Sequence, residues 1–443
     1  MGEAMITRRG GGGMEIDGLL QEYVVSSGSV SAGDFVKWVF GIKPYGVAGE
    51  TSQNLVYDIC AAMIDEARVL MLYEYKTTSN IYACVVTFNA DGMTVGISTQ
   101  ITTKSTSTLK ICAYAIGNNQ FLMAIKQNYW MFGAVTIESD NAITLSIKPA
   151  SMSSISTNVR YIWQIEENKF AGGYCTNNYY YQYVMVWENN AMTMKSGWKY
   201  SSNVDASDSS YVSGSIALGG GKYVCFLSTY INSSNSKLLE VYYTYTGTNV
   251  TVNSITQIKG VTPGGVGMHK LSDGKYIVPC GMRNNGVAMY MGVIIITVGT
   301  DAVSLGTPTQ ISAKDTNIGQ RGSRVHIGSL NGSRVMLIKN YTGGSSELAN
   351  YILLRADGTE ITTLTDQTLI TGPDVSDSLN FGDSSIANIG EKVVMLYSTR
   401  SHMSIQTLVA DDGIAKCASG EYVGGLATED GAQNETIKVY RPA

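Results

Sequence analysis

A short pattern of apolar and polar residues recurs seven times along this chain of 443 residues. Each copy has a few apolar residues, a tight polar turn, a Lys, Arg or Gln, and a second apolar run. The residues that open the second run are Arg68, Gln120, Lys169, Lys222, Lys275, Arg334 and Lys392. Successive copies lie 49 to 59 residues apart. A period of about 50 residues that holds several short strands is typical of the blades of a β-propeller.

The rest of each copy supports four strands in a blade. A polar loop follows the second apolar run, and then come a third apolar strand, a turn and a fourth strand. The turns before the fourth strand are rich in Asp, Asn and Gly, as in 89–92, 138–141, 356–358 and 411–413. Such residues supply the positive φ that tight hairpins require. We therefore predict an all-β fold with a seven-bladed β-propeller over residues 55–416, and a single helical turn within residues 14–24.

Composition narrows the classes of function. The net charge of −5 and the pI of about 5.4 argue against a nucleic-acid groove, which needs a basic patch. The seven cysteines are scattered through apolar strands, as expected of buried thiols in a reducing cytoplasm and not of a disulfide framework. Neither a signal peptide nor an apolar run long enough to cross a membrane is visible. We expect a protein made in the cytoplasm, without nucleic acid or membrane insertion.

The two ends of the chain do not follow the repeat. Residues 1–20 contain Arg8, Arg9 and four glycines, and they are predicted to form a flexible arm. Residues 21–54 and 417–443 each contain strand-like runs that are too short to bury a core alone. We expect them to meet in a small terminal β-barrel. The alternative is that one end supplies a strand to the last blade and closes the ring.

Two motifs in these ends resemble a known class of protein. The first is Gly33-Asp34-x-Val36, and the second runs from Gly425-Leu426-Ala427 through Gly431 to Glu435-Thr436-Ile437-x-Val439. Both resemble the small barrels of capsid decoration and tail proteins of phages and prophages, with departures at Leu426 and Asn434. The resemblance implies a virion protein that is attached to other virion proteins through its arm and terminal barrel. By analogy with fibre proteins, a homo-oligomer is possible.

The sequence offers little support for catalysis. The propeller lacks the Asp boxes of sialidase-like propellers, and its three histidines, His269, His326 and His402, form no metal or nucleophile motif. Several carboxylates fall in the connections between blades, where they could bind calcium or cleave a glycosidic bond. They are Asp205, Asp208, Asp315, Asp374, Asp377 and Asp383. Solvated loop positions are the simpler reading, so we predict no catalytic residue, no metal and no cofactor.

The loops between second and third strands are rich in Tyr, Asn, Trp and Arg. Aromatic rings stack on the apolar faces of sugars and polar side chains bond to hydroxyls, and the same residue types suit protein recognition. Strand-end tyrosines could instead brace neighbouring blades. The candidate ligand-binding residues are Tyr129, Trp130, Asn178, Tyr179, Tyr180, Tyr230, Arg283, Asn284, Tyr341 and Arg400.

The sequence therefore favours a non-enzymatic virion component that binds a glycan or a protein on the host surface. The first alternative is a capsid or tail decoration protein whose propeller is a spacer or stabiliser. The second is a polysaccharide-cleaving propeller enzyme.

Overall fold

The computed structural model is all-β. Among the residues that it describes, every regular element is a strand and none is a helix. Those residues are 6–7, 15–16, 19–25, 28–39, 42–44, 49–51, 56–75, 80–89, 92–102, 110–117, 119–156, 158–159, 161–176, 179–201, 211–229, 237–247, 249–263, 267–272, 274–284, 288–314, 325–330, 334–341, 348–357, 360–370, 386–389, 392–398, 403–410, 413–417, 425–427, 430–433 and 435–441. The chain divides into two compact units. Met1–Lys43 and Val409–Ala443 form the terminal unit, and Pro44–Leu408 form the propeller unit.

Seven short strands precede the first blade. They are β1 (Ile6–Thr7), β2 (Glu15–Ile16), β3 (Leu19–Val24), β4 (Ser29–Val30), β5 (Phe35–Val39), β6 (Ile42–Pro44) and β7 (Gly49–Thr51). β1 pairs with β2 in an antiparallel ribbon on either side of the Gly-rich segment, within the residues predicted to be a flexible arm.

The first four blades are antiparallel meanders. Blade 1 contains β8 (Val56–Met63), β9 (Arg68–Tyr75), β10 (Ile81–Asn89) and a divided outer strand, β11 (Gly92–Val95) and β12 (Thr99–Thr102). Blade 2 contains β13 (Lys110–Ala115), β14 (Gln120–Lys126), β15 (Trp130–Ile137) and β16 (Ile143–Met152). Blade 3 contains β17 (Ile162–Glu166), β18 (Lys169–Thr176), β19 (Tyr179–Glu188) and β20 (Ala191–Ser201). Blade 4 contains β21 (Tyr211–Gly219), β22 (Lys222–Thr229), β23 (Lys237–Tyr245) and β24 (Val250–Gln257).

The remaining strands complete the ring and the terminal unit. Blade 5 contains β25 (Val261–Pro263), β26 (His269–Ser272), β27 (Lys275–Asn284), β28 (Ala288–Val298), β29 (Val303–Leu305) and β30 (Thr309–Lys314). Blade 6 contains β31 (Val325–Ser329), β32 (Arg334–Tyr341), β33 (Leu348–Asp357) and β34 (Glu360–Ile370). Blade 7 contains β35 (Ile386–Ile389), β36 (Lys392–Ser398) and β37 (Met403–Ala410). The C-terminal strands are β38 (Gly413–Lys416), β39 (Gly425–Ala427), β40 (Gly431–Ala432) and β41 (Thr436–Arg441).

The seven-bladed propeller predicted from the repeat is confirmed. Each of the seven aligned residues, from Arg68 to Lys392, is the first residue of the second strand of its blade. A hydrogen bond recurs at the same place in the blades. The backbone carbonyl of the residue just before the aligned position accepts it from a backbone N–H of the third strand. Five copies of it are Phe88 to Ala67, Ile137 to Asn119, Trp187 to Asn168, Tyr245 to Gly221 and Val298 to Gly274.

A β-bulge recurs at one place in the outer strands, and no sequence motif predicts it. In each blade, one residue of the third strand pairs with the third residue of the second strand. At that residue, the pairing of the third strand with the outer strand breaks or shifts register. That residue is Val85, Ala134, Val184, Tyr242, Ile295 and Leu353 in blades 1 to 6. A bulge increases local twist and makes an exposed edge a poor template for another strand. The bulges therefore protect the rim of the propeller.

The ring is closed by the N-terminal side of the chain. Met403 and Ile405 of β37 pair with Thr51 and Gly49 of β7, so the last blade takes a strand from the segment before blade 1. The residues after the turn at 411–413, which the repeat assigned to the fourth strand of blade 7, form β38 and pair instead with β5 in the terminal unit. Blade 7 therefore follows the alternative given above, in which one end of the chain supplies a strand to the last blade and closes the ring.

The core lies in the gaps between blades. One apolar cluster joins Ile59 and Met71 of blade 1 to Ile405 of blade 7, and similar clusters fill the gaps from blade 1 to blade 6. Because both faces of the inner strands bury apolar residues against the neighbouring blades, the blades stabilise one another.

The terminal unit contains a five-stranded sheet in the order β3-β41-β39-β5-β38 and a two-stranded ribbon, β4-β40. Its core is Val25, Val30, Val36, Ala427, Ile437 and Val439. The helical turn predicted within residues 14–24 is wrong, since Leu19–Val24 form β3 and pair with β41. A partner more than 400 residues away in the sequence is a tertiary contact that local propensity cannot reveal.

The two motifs at the ends of the chain have structural roles in this unit. Gly33 has a φ of 91°, and the carboxylate of Asp34 accepts a hydrogen bond from the N–H of Ser31 at 2.8 Å. A Cβ on Gly431 would lie only 2.3 Å from a methyl carbon of Ile437, so a larger residue would clash there. Glu435 caps the same turn by accepting from the N–H of Ala432 at 2.8 Å. The described motif residues therefore build the core and turns of the small sheet.

Candidate functional site

The propeller has two chemically different faces. Strands in a meander alternate in direction, so the turns between first and second strands share an end of each blade with those between third and fourth strands. We call that end the turn face. The loops between second and third strands, and the connections between blades, lie at the opposite end, the loop face. The candidate ligand-binding residues come from the loops between second and third strands of the repeat, and those that the structure describes lie at the loop face.

The structure describes those candidates to different degrees. The side chains of Tyr129, Trp130, Tyr179 and Tyr180 are described. Arg283 and Asn284 end β27, and Tyr341 ends β32, so these three are located by their strand positions alone. Asn178, Tyr230 and Arg400 lie outside the described residues. The inter-blade carboxylates from Asp205 to Asp383, with His402, also lie outside them.

Tyr129 presents its ring to solvent. It ends the turn 127–129 of blade 2, which the N–H of Gln127 closes by donating to the carbonyl of Tyr129 at 3.1 Å. Tyr129 is 45% exposed, and the neighbouring Asn128 is also exposed. An exposed aromatic ring beside an amide is suited to a sugar or a peptide. Tyr179, at the same end of blade 3, is half-buried.

Trp130 does not belong to a binding surface, contrary to the sequence prediction. Its side chain is 0% exposed, and its indole N–H donates to the carbonyl of Val159 at 2.9 Å. Its ring stacks at 6.3 Å from that of Phe132, centre to centre. The connection between blades 2 and 3 carries Val159 and covers the indole. Trp130 therefore braces two blades, which is the role that the sequence analysis offered as an alternative for strand-end tyrosines.

Tyr180 is also buried, so the prediction that it contacts a ligand is wrong. Its hydroxyl donates to the side-chain carbonyl of Gln182 and lies 3.1 Å from the Sγ of Cys225 in blade 4. Gln182 in turn donates to the carbonyls of Gly172 and Tyr183. Burial raises the pKa of the Cys225 thiol to about 12, so it stays protonated. This network links blades 3 and 4, and its polar groups are satisfied within the fold.

Three basic positions of the repeat pair with acids on the turn face. Arg68 forms an ion pair with Asp65 at 2.7 Å and also donates to Asn141 of blade 2 at 2.7 Å. Lys169 pairs with Glu166 at 2.5 Å, and Lys222 pairs with Asp301 of blade 5. Burial favours a higher pKa for Asp65, but hydrogen bonds from Ala67 and Arg68, with the charge of Arg68, lower it overall. These cations stabilise turns and neighbouring blades.

A second set of contacts links three blades through Ser329. Its hydroxyl lies 2.6 Å from Nε2 of His269 in blade 5. Its backbone N–H donates to the side-chain carbonyl of Asn388 in blade 7 at 3.2 Å, and the Asn388 amide donates back to the Ser329 carbonyl. Gln164 makes the equivalent bond to Ala115 at 2.8 Å between blades 3 and 2. His269 is therefore part of the scaffold.

Acid should destabilise the propeller through His269. Burial lowers the pKa of His269 from 6.5 to about 4, so below pH 6.5 the unfolded chain binds a proton that the folded chain excludes. Stability from this group is complete above pH 6.5 and is lost as the pH falls towards 4. We expect about 2 kcal/mol less unfolding free energy at pH 5 than at pH 7 from this residue. His269→Gln should remove that part of the pH dependence in denaturant titrations, and an unchanged difference between the two pH values would contradict the assignment.

Charged side chains lie at both faces. On the turn face, the described exposed carboxylates include Glu66, Glu138, Asp140, Glu166, Glu167 and Asp301. At the loop face, the described side chains include Lys110, Lys126, Lys237 and Lys259, together with the buried carboxyl group of Glu74. The turn-face carboxylates stand beside cations of the repeat such as Arg68, Lys169 and Lys222, so the described turn face carries both signs of charge.

The sequence analysis did not single out Lys110 and Lys126, which lie at the loop-face end of blade 2. Lys126 is the sixth residue after Gln120, and the equivalent residues Glu74 and Ser228 are also polar and buried. A polar residue at the end of an otherwise apolar second strand was the sequence signal that could have identified this position. Among the described residues, no group of three or more His, Cys, Asp or Glu is placed to hold a metal ion. None of the described residues belongs to a helix that could span a bilayer.

The known proteins that resemble this chain are solved structures of low sequence identity. No family model matches the chain, and no curated protein matches it. A crystal structure of a protein from Lactobacillus plantarum is 12% identical, covers 78% of this chain and 97% of its own, and gives a TM-score of 0.46. The WD40 domain of SCAP from fission yeast is 8% identical, covers 83% of this chain and 98% of its own, and gives a TM-score of 0.41.

Proposed function

We propose that this protein is a non-enzymatic virion component that uses the loop face of its propeller to bind a glycan on the host surface. The observation that carries the proposal is the turn 127–129, which exposes Tyr129 and Asn128 together at the loop face. Aromatic and amide side chains recognise sugars through the apolar face of the ring and its hydroxyls. The turn face offers short turns and ion pairs instead, so it is the poorer candidate.

The terminal unit is the proposed attachment domain. Its two motifs resemble the small barrels of phage decoration and tail proteins, and their residues form its core and turns. The edge strands of its five-stranded sheet, β3 and β38, approach each other, which supports closure into a small barrel. Other virion proteins would bind this unit, and the propeller would be presented to the host.

A decoration protein without receptor binding is the second candidate. The burial of Trp130 and Tyr180 favours it, because these are two of the four aromatic candidates whose side chains are described, and both stabilise the propeller itself. Images of the particle distinguish the two functions. Copies spread evenly over the capsid support decoration, whereas copies at the tail tip support receptor binding.

The test of the proposed function is the substitution Tyr129→Ala. We expect binding to host cells or to a glycan array to weaken about tenfold or more, because aromatic anchors carry much of the energy of a recognition site. Tyr129→Phe keeps the ring and should retain most of the binding. Unfolding free energy should change by less than about 0.5 kcal/mol, since the side chain is exposed.

A matched control is Ile97→Ala, which removes a 93% exposed apolar side chain from the outer strand region of blade 1. It should leave binding unchanged. Binding that survives Tyr129→Ala at full strength would exclude the turn 127–129 as the glycan site. Release of reducing sugar from a host polysaccharide by the wild-type protein would favour the enzyme alternative.

A further inference from the structure

The outer edge of β37, the third strand of blade 7, is completed by strands that precede blade 1 in the sequence. β7 pairs with it from Thr51 opposite Met403 to Gly49 opposite Ile405, and β6 is its other neighbour on that edge. In blades 1 to 6, by contrast, the strand that follows the third strand along the chain pairs with the third strand. In blade 7 that following strand is β38, and it pairs with β5 instead.

Blade 1 shows which part of the edge β38 would occupy in a regular blade. Val85 and Thr407 both pair with the third residue of the second strand of their blades, so β10 and β37 can be aligned residue by residue. On that alignment β7 takes the place of β12, because each pairs with the first three residues of its third strand. The place of β11, nearer the turn, is the regular position of β38. β6 lies on that side, since it precedes β7 and β7 is antiparallel to β37.

The sequence at the end of β37 favours a hairpin. Two-residue turns join the third and outer strands in three other blades, and they lie between Asn89 and Gly92, Glu188 and Ala191, and Asp357 and Glu360. The equivalent residues of blade 7 are Asp411 and Ile414, with Asp412-Gly413 between them. Asp-Gly is among the most favourable two-residue hairpin turns, because both residues tolerate positive φ. The local sequence therefore directs β38 back onto β37.

Gly413 is poorly suited to the pairing that the structure shows. It is the first residue of β38 and lies opposite Val39 of β5. Glycine weakens a strand, because it loses the most conformational freedom on folding and has no side chain to pack. The second position of an Asp-Gly turn, however, requires it. The local preference and the observed pairing therefore disagree, as expected of a segment with two competing arrangements.

We propose that β38 exchanges between two partner strands. In the observed state it pairs with β5, from Gly413 opposite Val39 to Lys416 opposite Val36. In the second state residues 414–416 fold back onto β37 as the fourth strand of blade 7, β6 is released, and β7 still closes the ring. The new ladder offsets part of the pairing that is lost with β5 and β6. The exchange also uncovers the edge of β5, and a free sheet edge can accept an extended strand of another chain.

Hydrogen exchange of the full-length protein tests this proposal through peptides that cover residues 35–44. Uncovering of β5 and release of β6 are one event, so the amides of both strands should respond together. Gly413→Val disfavours the positive φ of the turn and suits an extended strand, so exchange in both should slow about tenfold. Asp412→Asn strengthens the turn, since Asn-Gly is a preferred type I′ pair, and should speed exchange in both.

A disulfide traps the second state directly. Ala410 and Ala415 lie opposite each other in the hairpin register, whereas Ala415 pairs with Lys37 in the observed state. In a Cys417→Ser background, mild oxidation of the double variant Ala410→Cys/Ala415→Cys should link the two positions in the folded protein. Adding Gly413→Val should slow that linkage about tenfold. The matched pair Lys37→Cys/Ala415→Cys is opposite in the observed register and should link faster.

Three results would overturn the exchange. The first is a hairpin pair that stays reduced while the matched pair links. The second is linkage at the same rate with and without Gly413→Val, which would indicate local loop motion and not a hairpin. The third is exchange of the β6 amides that neither turn variant changes, in proteins whose circular dichroism matches the wild type. Glycan binding enters none of these measurements, so their outcome leaves the proposed function to its own test.

Discussion

Replacing Trp130 by alanine should destabilise the propeller by about 3 to 5 kcal/mol, the range typical of large aromatic side chains removed from a core. The indole is fully buried, stacks on Phe132 and bonds to the Val159 carbonyl of the connection to blade 3. Alanine would leave a cavity between blades 2 and 3 and an unpaired backbone carbonyl, which adds to the cost. Denaturant titration followed by circular dichroism measures the loss of unfolding free energy.

Two variants separate packing from ligand contact. Trp130→Phe keeps an apolar ring but cannot donate to Val159, so it should cost less than Trp130→Ala. Tyr129→Ala, one residue earlier in the sequence, should leave stability nearly unchanged and weaken glycan binding. If Trp130→Ala were as stable as the wild-type protein and selectively lost binding, the assignment of Trp130 as a brace would be wrong.

This pair of residues shows why the site was harder to predict than the fold. Tyr129 and Trp130 are neighbours in one aromatic loop, and nothing in the local sequence distinguishes the exposed ring from the buried one. The difference arises because Val159, almost thirty residues later, accepts the indole hydrogen bond. Burial at the end of a blade depends on the next blade, and that contact is tertiary.

The second strands were predictable because they depend on a local pattern that repeats. Each begins at the Lys, Arg or Gln that follows the tight turn, from Arg68 to Lys392. The ring closure was less accessible, because β7 pairs with β37 across about 350 residues of sequence. The aligned bulges were not predicted either, since Val85 and Ala134 occupy the same position without sharing a residue type. A repeat therefore predicts the strands and turns within each blade, but it does not predict the contacts that a blade makes with other parts of the chain.

A matched pair of glycines tests the turn that starts each second strand. Gly221 and Gly274 both precede the first residue of a second strand, with φ of 76° and 71°, and both accept a hydrogen bond from the third strand. A Cβ on Gly221 would lie 2.5 Å from the carbonyl oxygen of Tyr245, whereas a Cβ on Gly274 would lie 3.8 Å from that of Val298. Alanine at either position carries the strain of a left-handed conformation, about 1 to 2 kcal/mol.

We expect Gly221→Ala to cost about 2 kcal/mol more than Gly274→Ala, because the clash in blade 4 is with backbone and cannot be relieved by a side-chain rotation. The shift needed to make room would also strain the bond from Tyr245 N–H to the Gly221 carbonyl, which is 2.8 Å long. Unfolding free energies of the two variants at neutral pH provide the comparison. Gly220→Ala is a further control, since its φ is 59° and no atom lies within 4 Å of the added Cβ. Equal losses for Gly221→Ala and Gly274→Ala would mean that the third strand of blade 4 yields readily, and that the repeated turn tolerates more variation than its hydrogen bond implies.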